Sequence, residues 1–411
     1  MSRVLYAWEL GGGLGHVTVF LPVGRELARR GHSLSWALCD LQVAVPALGR
    51  DEHALLQAPV WRHQMLGLPE NTMSFAEVLF RCGYLLQSTL QPLLRAWIEL
   101  LRSCQPDLVI ADFSPTAQLA ARALGIRCAR IGAGYWCPPA TDPVSTLMPW
   151  VPTAQERMLD AGRTLLDSVN TSLADMGFAP LASVADVSRA DEDFLITYAE
   201  LDHFRGRQGH YYGPISSDSR GVPPVWPEGE GKRVFAYVKG GEPHVEAILM
   251  ALREQHCSVL VFATGLPVEI LAKLECPTLR ISAAPYAMQE TIASCDLAIC
   301  HAGHGTICAA LSGGKPLLLL PGFLEQEINA RNVIDLGAGL GALRDEPEAV
   351  AVEALQRLLN EASFGAAAQF FANRYATTTQ AGTVAAIADR CDSLLATPPL
   401  ASLSRLPEGK A

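Results

Sequence analysis

The sequence predicts an α/β protein made of two halves, each built around a parallel β-sheet. Three observations support this prediction. Short apolar strands alternate with helices, a segment rich in Pro, Gly and Ser interrupts the alternation at residues 216–232, and the alternation then restarts. Strands and helices that alternate in this way form βαβ units, which pair their strands in parallel. A chain of 411 residues has room for two or three domains.

In the first half, a strand over Arg3–Trp8 precedes a glycine-rich loop at 11–15 and a helix whose apolar residues repeat at helical spacing as far as Gly31. The following elements are predicted as strands at 33–39, 107–112 and 127–131 and helices at 84–101 and Pro115–Leu124. In the second half, the predicted strands are 234–238, 259–263, Leu297–Cys300 and 316–320, and the predicted helices are 243–255, 326–336 and 350–359.

We therefore divide the chain into four parts. An N-terminal domain covers residues 1–215, a linker 216–232 and a C-terminal domain 233–380. The final segment, 381–411, contains a helix at 381–395 that is a candidate to pack back on the N-terminal domain, and then a loose tail.

The charge of the chain limits its partners. It has 32 Lys and Arg against 42 Asp and Glu, a formal net charge of −10, and the basic residues are scattered. Because nucleic acids and anionic membranes attract clustered Lys and Arg, neither is expected as the main partner. No apolar run approaches the roughly 20 residues that cross a bilayer, and the N-terminal stretch is too short for a signal peptide. The 11 cysteines lack CxxC pairs, which favours thiols in the cytoplasm and no metal site.

His16 lies where the glycine-rich loop meets the first helix. Ligands bind at the carboxyl ends of strands in open α/β sheets, and glycines such as Gly13 and Gly15 let backbone N–H groups approach an anion. A helix N-terminus disfavours imidazolium, so His16 is a candidate proton acceptor, with Asp112 as its candidate partner. The alternatives are a turn with a surface histidine and an aspartate that only caps a helix. Dinucleotide binding, with Asp40 on the ribose, is disfavoured because His16 occupies the place of the third glycine.

A second cluster of polar residues and glycines follows the strand Leu297–Cys300. Histidine side chains, glycines, backbone N–H groups and a hydroxyl meet there at one helix N-terminus, and this combination suits a diphosphate. Glu325 and Gln326 open the next helix, where an acid and an amide suit sugar hydroxyls. Helix capping is the alternative at both places, and the density of such residues disfavours it. The diphosphate candidates are His301, Gly303, His304, Gly305 and Thr306.

This stretch resembles the nucleotide-sugar signature of the UDP-glycosyltransferase family (glycosyltransferase family 1, GT-B fold, bacterial type). The family pattern H-x-G-x-[GN]-[ST] is matched by residues 301–306, G-x-P by 314–316, [DE]-Q-x-x-N-A by 325–330 and LGxG by 336–339. The segment around His16 is similar to the family's G-H-x-x-P opening, with the proline shifted to Pro22. Residues 106–112 resemble the segment with the catalytic aspartate, and residues 212–214 resemble the motif before the linker. The resemblance covers nearly the whole chain.

The resemblance implies a GT-B fold, with two Rossmann-like domains facing each other across a cleft. It also implies direct displacement at the anomeric carbon, with inversion and with neither a metal nor another cofactor, since the nucleoside-diphosphate sugar is a substrate. His16 would deprotonate the acceptor hydroxyl and Asp112 would orient His16. The diphosphate would contact residues 301–306, and the donor sugar would contact Glu325 and Gln326.

Three positions depart from the family pattern. Ala309 replaces an acid that holds the ribose hydroxyls, which is compatible with thymidine as well as uridine diphosphate donors. Ala283 replaces the tryptophan that stacks on the base in the family, which leaves Tyr286 as the stacking candidate. The backbone of Ala287 and Met288 is the candidate for contacts with the edge of the base. Lys239 replaces a small hydroxyl residue and is either a phosphate contact or a solvated strand end.

The acceptor pocket is predicted from apolar residues of the N-terminal half, namely Met73, Tyr84, Tyr135 and Trp136. They favour a small hydrophobic or lipid-like acceptor, and core packing is the alternative. The predicted function is hexosyl transfer from a UDP- or dTDP-sugar in natural-product glycosylation. A catalytically idle GT-B partner protein and a sugar-nucleotide epimerase of the same fold remain as alternatives. The expected partners are the two small-molecule substrates, and either peripheral or homodimeric association is compatible with them.

Overall fold

The chain contains two units that share one sheet topology in this computed structural model, which describes residues 1–49, 54–152, 155–216, 221–398 and 403. The N-terminal unit comprises Met1–Ala199, His203–Ile215 and Gln380–Ala411. The C-terminal unit comprises Glu200–Asp202 and Ser216–Thr379. Each unit has its own six-stranded sheet, and each is described here by itself.

The sheet of the N-terminal unit is entirely parallel, with the spatial order β3-β2-β1-β4-β5-β6. Its strands are β1 (Arg3–Trp8), β2 (Ser33–Leu38), β3 (Ala54–Gln57), β4 (Leu108–Asp112), β5 (Arg127–Gly132) and β6 (Glu192–Leu195). Its helices are α1 (Gly15–Arg29), α2 (Leu41–Leu48), α3 (Phe75–Leu79), α4 (Gln87–Cys104), α5 (Pro115–Leu124), α6 (Gln155–Ala174) and α14 (Gln380–Ala396).

The sheet of the C-terminal unit repeats this arrangement, with the order β12-β11-β10-β7-β8-β9. Its strands are β7 (Arg233–Lys239), β8 (Ser258–Thr264), β9 (Leu279–Ser282), β10 (Leu297–Cys300), β11 (Leu317–Leu319) and β12 (Gly339–Gly341). Its helices are α7 (Val245–Glu254), α8 (Val268–Leu274), α9 (Met288–Ser294), α10 (His304–Ser312), α11 (Leu324–Asp335), α12 (Glu348–Asn360) and α13 (Ala362–Arg374).

Both sheets follow the doubly wound order 3-2-1-4-5-6, counted along each unit. The strand order reverses between β1 and β4 in the first sheet and between β7 and β10 in the second. In such sheets a crevice opens at the carboxyl ends of the two strands that flank the reversal. The fold therefore offers one ligand-binding crevice in each unit.

The central strands are buried on both faces, as expected for a parallel sheet covered by helices. Every residue of β4 and β10 is buried, and so is every residue of β1 after Arg3. The largest fully buried side chains of the N-terminal unit include Trp8, Trp36 and Trp97. Apolar runs of this kind explain why the central strands could be predicted from sequence.

The predicted α/β class with two Rossmann-like sheets is confirmed. The central strands and the helices α1, α4, α5, α7, α11, α12 and α14 lie within a few residues of their predicted positions. The edge strands β3, β6, β9 and β12 were not predicted, because they are short and, unlike the equally short β10 and β11, are not buried along their whole length. The predicted loose tail falls almost wholly outside the described residues.

The predicted linker needs a correction. Residues 217–220 lie outside the described part of the chain, and the segment that follows them is packed on the C-terminal unit. The Val222 N–H donates to the Pro285 carbonyl at 2.9 Å, and the Trp226 indole N–H donates to the Ser294 hydroxyl at 3.1 Å. A stretch rich in Pro and Gly can be held by its backbone groups, which composition alone does not reveal.

Helix α14 packs against α1 within the N-terminal unit. Arg30, which follows α1, donates to Asp389 at 2.7 Å and to Asp392 at 2.8 Å. The ring of His32 lies 2.7 Å from the other oxygen of Asp392. We call these four side chains the α1–α14 clasp. Among the described residues, no helix is both long and apolar enough to span a bilayer.

We predict that Asp392→Asn lowers the free energy of unfolding by about 1 kcal/mol, because Asp392 bridges two partners of the clasp. Asp389→Asn is the matched control. Its side chain is 71% exposed and has one partner in the clasp, so its effect should stay below about 0.5 kcal/mol. Urea unfolding of the three proteins measures both differences. Equal effects of the two substitutions would contradict the clasp.

Candidate active site

His16 and Asp112 meet at the switch point of the first sheet. In the register of β1 and β4, Trp8 lies beside Asp112, and His16 follows β1 as the second residue of α1. Nδ1 of His16 is 3.0 Å from Oδ1 of Asp112, and the two side chains are 10% and 5% exposed. A carboxylate can only accept, so Nδ1 carries the proton and Nε2 keeps its lone pair. The sequence-predicted pair is therefore within hydrogen-bond distance, with Nε2 as the nitrogen able to take a proton.

Aromatic rings and one glycine fix the position of the imidazole. The Trp8 ring stacks on it with centroids 5.1 Å apart and an interplanar angle of 18°, and the Trp136 ring lies 5.9 Å away. Gly11 has φ +81°, and a Cβ atom there would lie 2.8 Å from Nε2 of His16. Gly11 thus keeps the space in front of the proton-accepting nitrogen open, a role that no sequence pattern indicated.

Glu9 is a buried acid that the sequence analysis missed. It accepts from the Thr116 hydroxyl at 2.6 Å, from the Thr116 N–H at 2.9 Å and from the Ser114 hydroxyl at 3.3 Å. Burial raises the pKa of Glu9 to about 7, although the bonds from Thr116 and Ser114 oppose this rise. Glu9 therefore anchors the N-terminus of α5, the helix that begins just after Asp112. An acid directly after an apolar strand was the one available signal.

Each sheet has a non-glycine residue with positive φ within two residues of the end of a switch-point strand. Phe113 follows Asp112 with φ +40°, and Ala302 follows His301 with φ +59°. Their carbonyls are held by the Leu10 N–H at 3.0 Å and by the Asn329 side chain at 3.0 Å, respectively. Strained residues of this kind persist where the surrounding structure overdetermines them, and they cluster at functional sites.

The second cluster surrounds the N-terminus of α10. His301 directly follows β10, and Gly303 precedes the helix with φ −66°. The first N–H groups of a helix have no acceptor within it. Nε2 of His301 is buried without a hydrogen-bond partner, and burial lowers the pKa of this imidazole. The site thus combines a neutral histidine and helix N–H groups, which suits an anion.

Neither close packing nor backbone conformation requires glycine at positions 303 and 305. A Cβ atom on Gly303 or Gly305 would meet no atom within 4 Å, and neither residue has positive φ. Thr306 is buried, whereas His304 packs on Cys308 one turn later. Burial lowers the pKa of His304 to about 4, so its ring is neutral. Free space around the glycines leaves room for a ligand to approach the backbone closely.

Glu325 and Gln326 lie at the start of α11, as predicted. The Gln326 side-chain oxygen accepts from the Gly322 N–H at 2.9 Å, and Glu325 is 9% exposed. Lys239, at the end of β7, lies 3.9 Å from Glu242 and is largely exposed. The described residues contain no cluster of three or more His, Cys, Asp and Glu side chains that could hold a metal ion.

The structure corrects the base-binding candidates. The Ala287 N–H donates to Val222 at 2.9 Å, and its carbonyl accepts from both the backbone and the hydroxyl of Thr291. This N–H is therefore not available for a base edge. Tyr286 is 5% exposed and packs edge-on against Phe235, so its faces are not open for stacking. Met288 is the first residue of α9.

The structure separates the acceptor candidates into three core residues and one residue beside His16. Tyr84 has no exposed surface, and its hydroxyl lies 2.7 Å from the Thr116 hydroxyl. Met73 and Tyr135 are 5% and 8% exposed. These three residues are core residues in this structure, whereas the half-buried Trp136 lies beside His16.

A small, mostly apolar cavity adjoins Trp136 in the N-terminal unit. The rings of Trp136 and Phe113 lie 4.2 Å apart, and Phe75 lies 6.3 Å from Phe113. Arg130 also lines it, and its guanidinium bonds to Asp193 at 2.6 and 2.7 Å. The other lining residues are Leu79, Ala111, Ser114, Pro115, Gln118, Pro138, Val187 and Ser188. Of this lining, Trp136 is the residue that belongs to the four acceptor candidates named from the sequence.

Comparisons with known proteins concern the sequence of the C-terminal unit and the fold of the whole chain. Residues 274–391 match the family model described as the C-terminal domain of erythromycin biosynthesis protein CIII-like proteins. Elloramycin glycosyltransferase ElmGT of Streptomyces olivaceus is 35% identical over 99 residues, which are 24% of this chain and 25% of ElmGT. The chain thus matches about a quarter of the length of this curated relative.

Solved structures match over nearly the whole chain. Spinosyn rhamnosyltransferase SpnG has a TM-score of 0.66 and 18% identity, covering 97% of this chain and 100% of its own. Glycosyltransferase VinC, solved in complex with dTDP, has a TM-score of 0.64 and 19% identity, covering 94% and 100%. These likenesses show that the chain has the fold of these glycosyltransferases, the GT-B fold.

Proposed function

We propose that the protein is an inverting glycosyltransferase that moves a sugar from a nucleoside-diphosphate sugar to a hydroxyl of an apolar acceptor. The 3.0 Å contact between His16 Nδ1 and Asp112 Oδ1 carries this proposal. A histidine with a carboxylate behind Nδ1, so that Nε2 is the nitrogen able to take a proton, is the arrangement that a general base requires. The match of residues 274–391 to the family model and the helix N-terminus of α10, which suits an anion, support the same reaction.

In the proposed step, Nε2 of His16 takes the proton of the acceptor hydroxyl as its oxygen attacks the anomeric carbon of the donor. The bond from that carbon to the diphosphate oxygen breaks, and its electron pair leaves with the nucleoside diphosphate. One displacement inverts the anomeric configuration. The negative charge of Asp112 stabilises the imidazolium formed. His16 then releases its proton to solvent.

The donor diphosphate is proposed to bind at the N-terminus of α10. Backbone N–H groups there and the buried Nε2 of His301 can meet the charge that develops on the leaving group. This donor set supports a reaction without a metal. Glu325 and Gln326 are proposed to bind the sugar hydroxyls, and Lys239 contributes a point charge moderated by Glu242.

We propose a dTDP-sugar as the preferred donor. Ala309 offers no polar atom to a ribose 2′-hydroxyl, which thymidine diphosphate lacks. VinC, which shares the fold, was solved with dTDP. Since the half-buried ring of Trp136 lies 5.9 Å from the ring of His16, the proposed acceptor is a hydrophobic alcohol or phenol.

Incubation of the purified protein with UDP- and dTDP-sugars and a panel of apolar acceptors, followed by mass detection, tests the proposal. A glycosylated acceptor is expected, and His16→Ala should abolish it while dTDP affinity stays nearly intact. The exposed His256 provides the matched control, since His256→Ala should keep full activity. An altered donor without acceptor transfer would identify an epimerase. Donor binding without any reaction would identify a partner protein.

We predict that Gly11→Ala lowers kcat at least tenfold, because the added methyl group displaces the His16 ring from its place. Gly31→Ala is the matched control. Gly31 also has positive φ, +90°, but an added Cβ atom there meets nothing within 4 Å. Both variants should lose a similar amount of stability, about 1 kcal/mol, and only Gly11→Ala should lose rate. An equal kcat for the two variants would sink the prediction.

We predict that Gly303→Ala weakens dTDP binding about tenfold or more while leaving the thermal unfolding midpoint unchanged. The reason is that the methyl group meets no protein atom but occupies the space proposed for the diphosphate. Gly365→Ala, at an equally open glycine in α13, should leave dTDP affinity unchanged. Calorimetric titration with dTDP measures both. Unchanged affinity in Gly303→Ala would remove the diphosphate from this position.

A further inference from the structure

Tyr6 is a buried tyrosine behind the His16–Asp112 pair. It lies in β1, two residues before Trp8, and has no exposed surface. Its ring stacks face to face on Phe20 of α1, with centroids 4.3 Å apart and an interplanar angle of 7°. Trp36 of β2 packs against it at 4.9 Å. The ring is thus fixed by packing that does not involve its hydroxyl.

The hydroxyl of Tyr6 reaches both members of the pair. It lies 2.7 Å from Oδ2 of Asp112, the carboxylate oxygen that His16 does not contact. It also lies 2.5 Å from the backbone carbonyl of His16. One proton lies between two acceptors, and the charged carboxylate is the stronger of them. Burial, and then the nearby Asp112, raise the pKa of Tyr6 well above its usual value, so this hydroxyl stays a donor.

We propose that Tyr6 is a positioning residue of the catalytic pair, which acts through Asp112 and not on the substrate. By donating to Oδ2, it holds the carboxylate plane so that Oδ1 faces Nδ1 of His16, and it reduces the negative charge that Oδ1 presents. The proposal rests on the function proposed above for His16. From the sequence alone, Tyr6 is only one residue of the first strand.

The other titratable groups near Asp112 do not compete with Tyr6 for its carboxylate. Cys39 follows β2 and Cys137 follows β5, and burial raises the pKa of each thiol to about 12, so both are neutral. The carboxylate of Glu9 is turned to α5, where Thr116 and Ser114 donate to it. The rings of Trp8 and Trp136 carry no charge.

Tyr6→Phe keeps the stacked ring and removes only the hydroxyl. Without this donor, Oδ1 of Asp112 carries more negative charge and stabilises the imidazolium of His16 more strongly. We expect the NMR titration midpoint of His16, identified by the loss of its signal in His16→Ala, to move to higher pH. The acid limb of the kcat/KM profile should move in the same direction. We also expect kcat to fall about tenfold with KM unchanged, because the carboxylate loses its fixed orientation.

The matched control is Tyr375→Phe in the C-terminal unit. The Tyr375 hydroxyl also donates to a carboxylate, that of Glu200, at 2.6 Å. The loss of a tyrosine–carboxylate bond there should change neither the His16 titration nor kcat. If Tyr6→Phe gives the same His16 titration and the same kcat as Tyr375→Phe, the proposal is overturned.

Two further measurements separate positioning from stability. In an Asp112→Asn background, Tyr6→Phe should cause no additional loss of kcat, because Tyr6 acts through the carboxylate. An additive loss would contradict this. If Tyr6→Phe does not fold, site-specific replacement of Tyr6 by a fluorotyrosine, a stronger donor of similar shape, should move the His16 midpoint to lower pH; no movement would overturn the proposal. The NMR readout needs no turnover, so absent transfer activity would contradict the proposed function without deciding the role of Tyr6.

Discussion

The crevice at the switch point of a doubly wound sheet is the constraint on which both sites depend. Helices leave the two flanking strands toward opposite faces, so a crevice opens at the carboxyl ends of β1 and β4, and of β7 and β10. In the first sheet, the register that sets Trp8 beside Asp112 brings His16 within 3.0 Å of that carboxylate. In the second sheet, the same geometry leaves His301 at the N-terminus of α10. One topology thus positions the proposed base in one unit and the proposed anion site in the other.

Backbone strain accompanies this geometry in both units. Phe113 and Ala302 adopt positive φ within two residues of the ends of β4 and β10, at a cost on the order of 1–3 kcal/mol each. Their carbonyls accept hydrogen bonds from Leu10 and Asn329. Glu9 adds bonds to the start of α5 and so stabilises the turn that follows Asp112. The turns are therefore held by groups from other parts of the chain.

Hydrophobic periodicity and the ends of strands were sufficient to predict part of the candidate site. Asp112 and His301 could be predicted because each stands at the end of an apolar strand, and His16 because it follows the glycine-rich loop after β1. The fold class itself brings ligands to this edge. Tyr6 and Glu9 could not, since their partners lie more than a hundred residues away along the chain. Apolar side chains such as Tyr84 read alike in a core and in a pocket wall, and only packing distinguishes them. The edge strands were not predicted because they combine three or four residues with partial exposure, whereas β10 and β11 are continuous buried apolar runs.

The net negative charge of the chain limits how the proposed donor site can attract a diphosphate. A net charge of −10 repels a nucleoside diphosphate at long range, so the proposed donor site must depend on local groups. Burial keeps His301 neutral, and Glu242 lies 3.9 Å from the ammonium group of Lys239. The largest remaining contribution comes from the N–H groups at the start of α10, whose orientation is fixed by the helix. Preorganised dipoles of this kind bind an anion without a net positive charge, and they stay in place as charge develops on the leaving group.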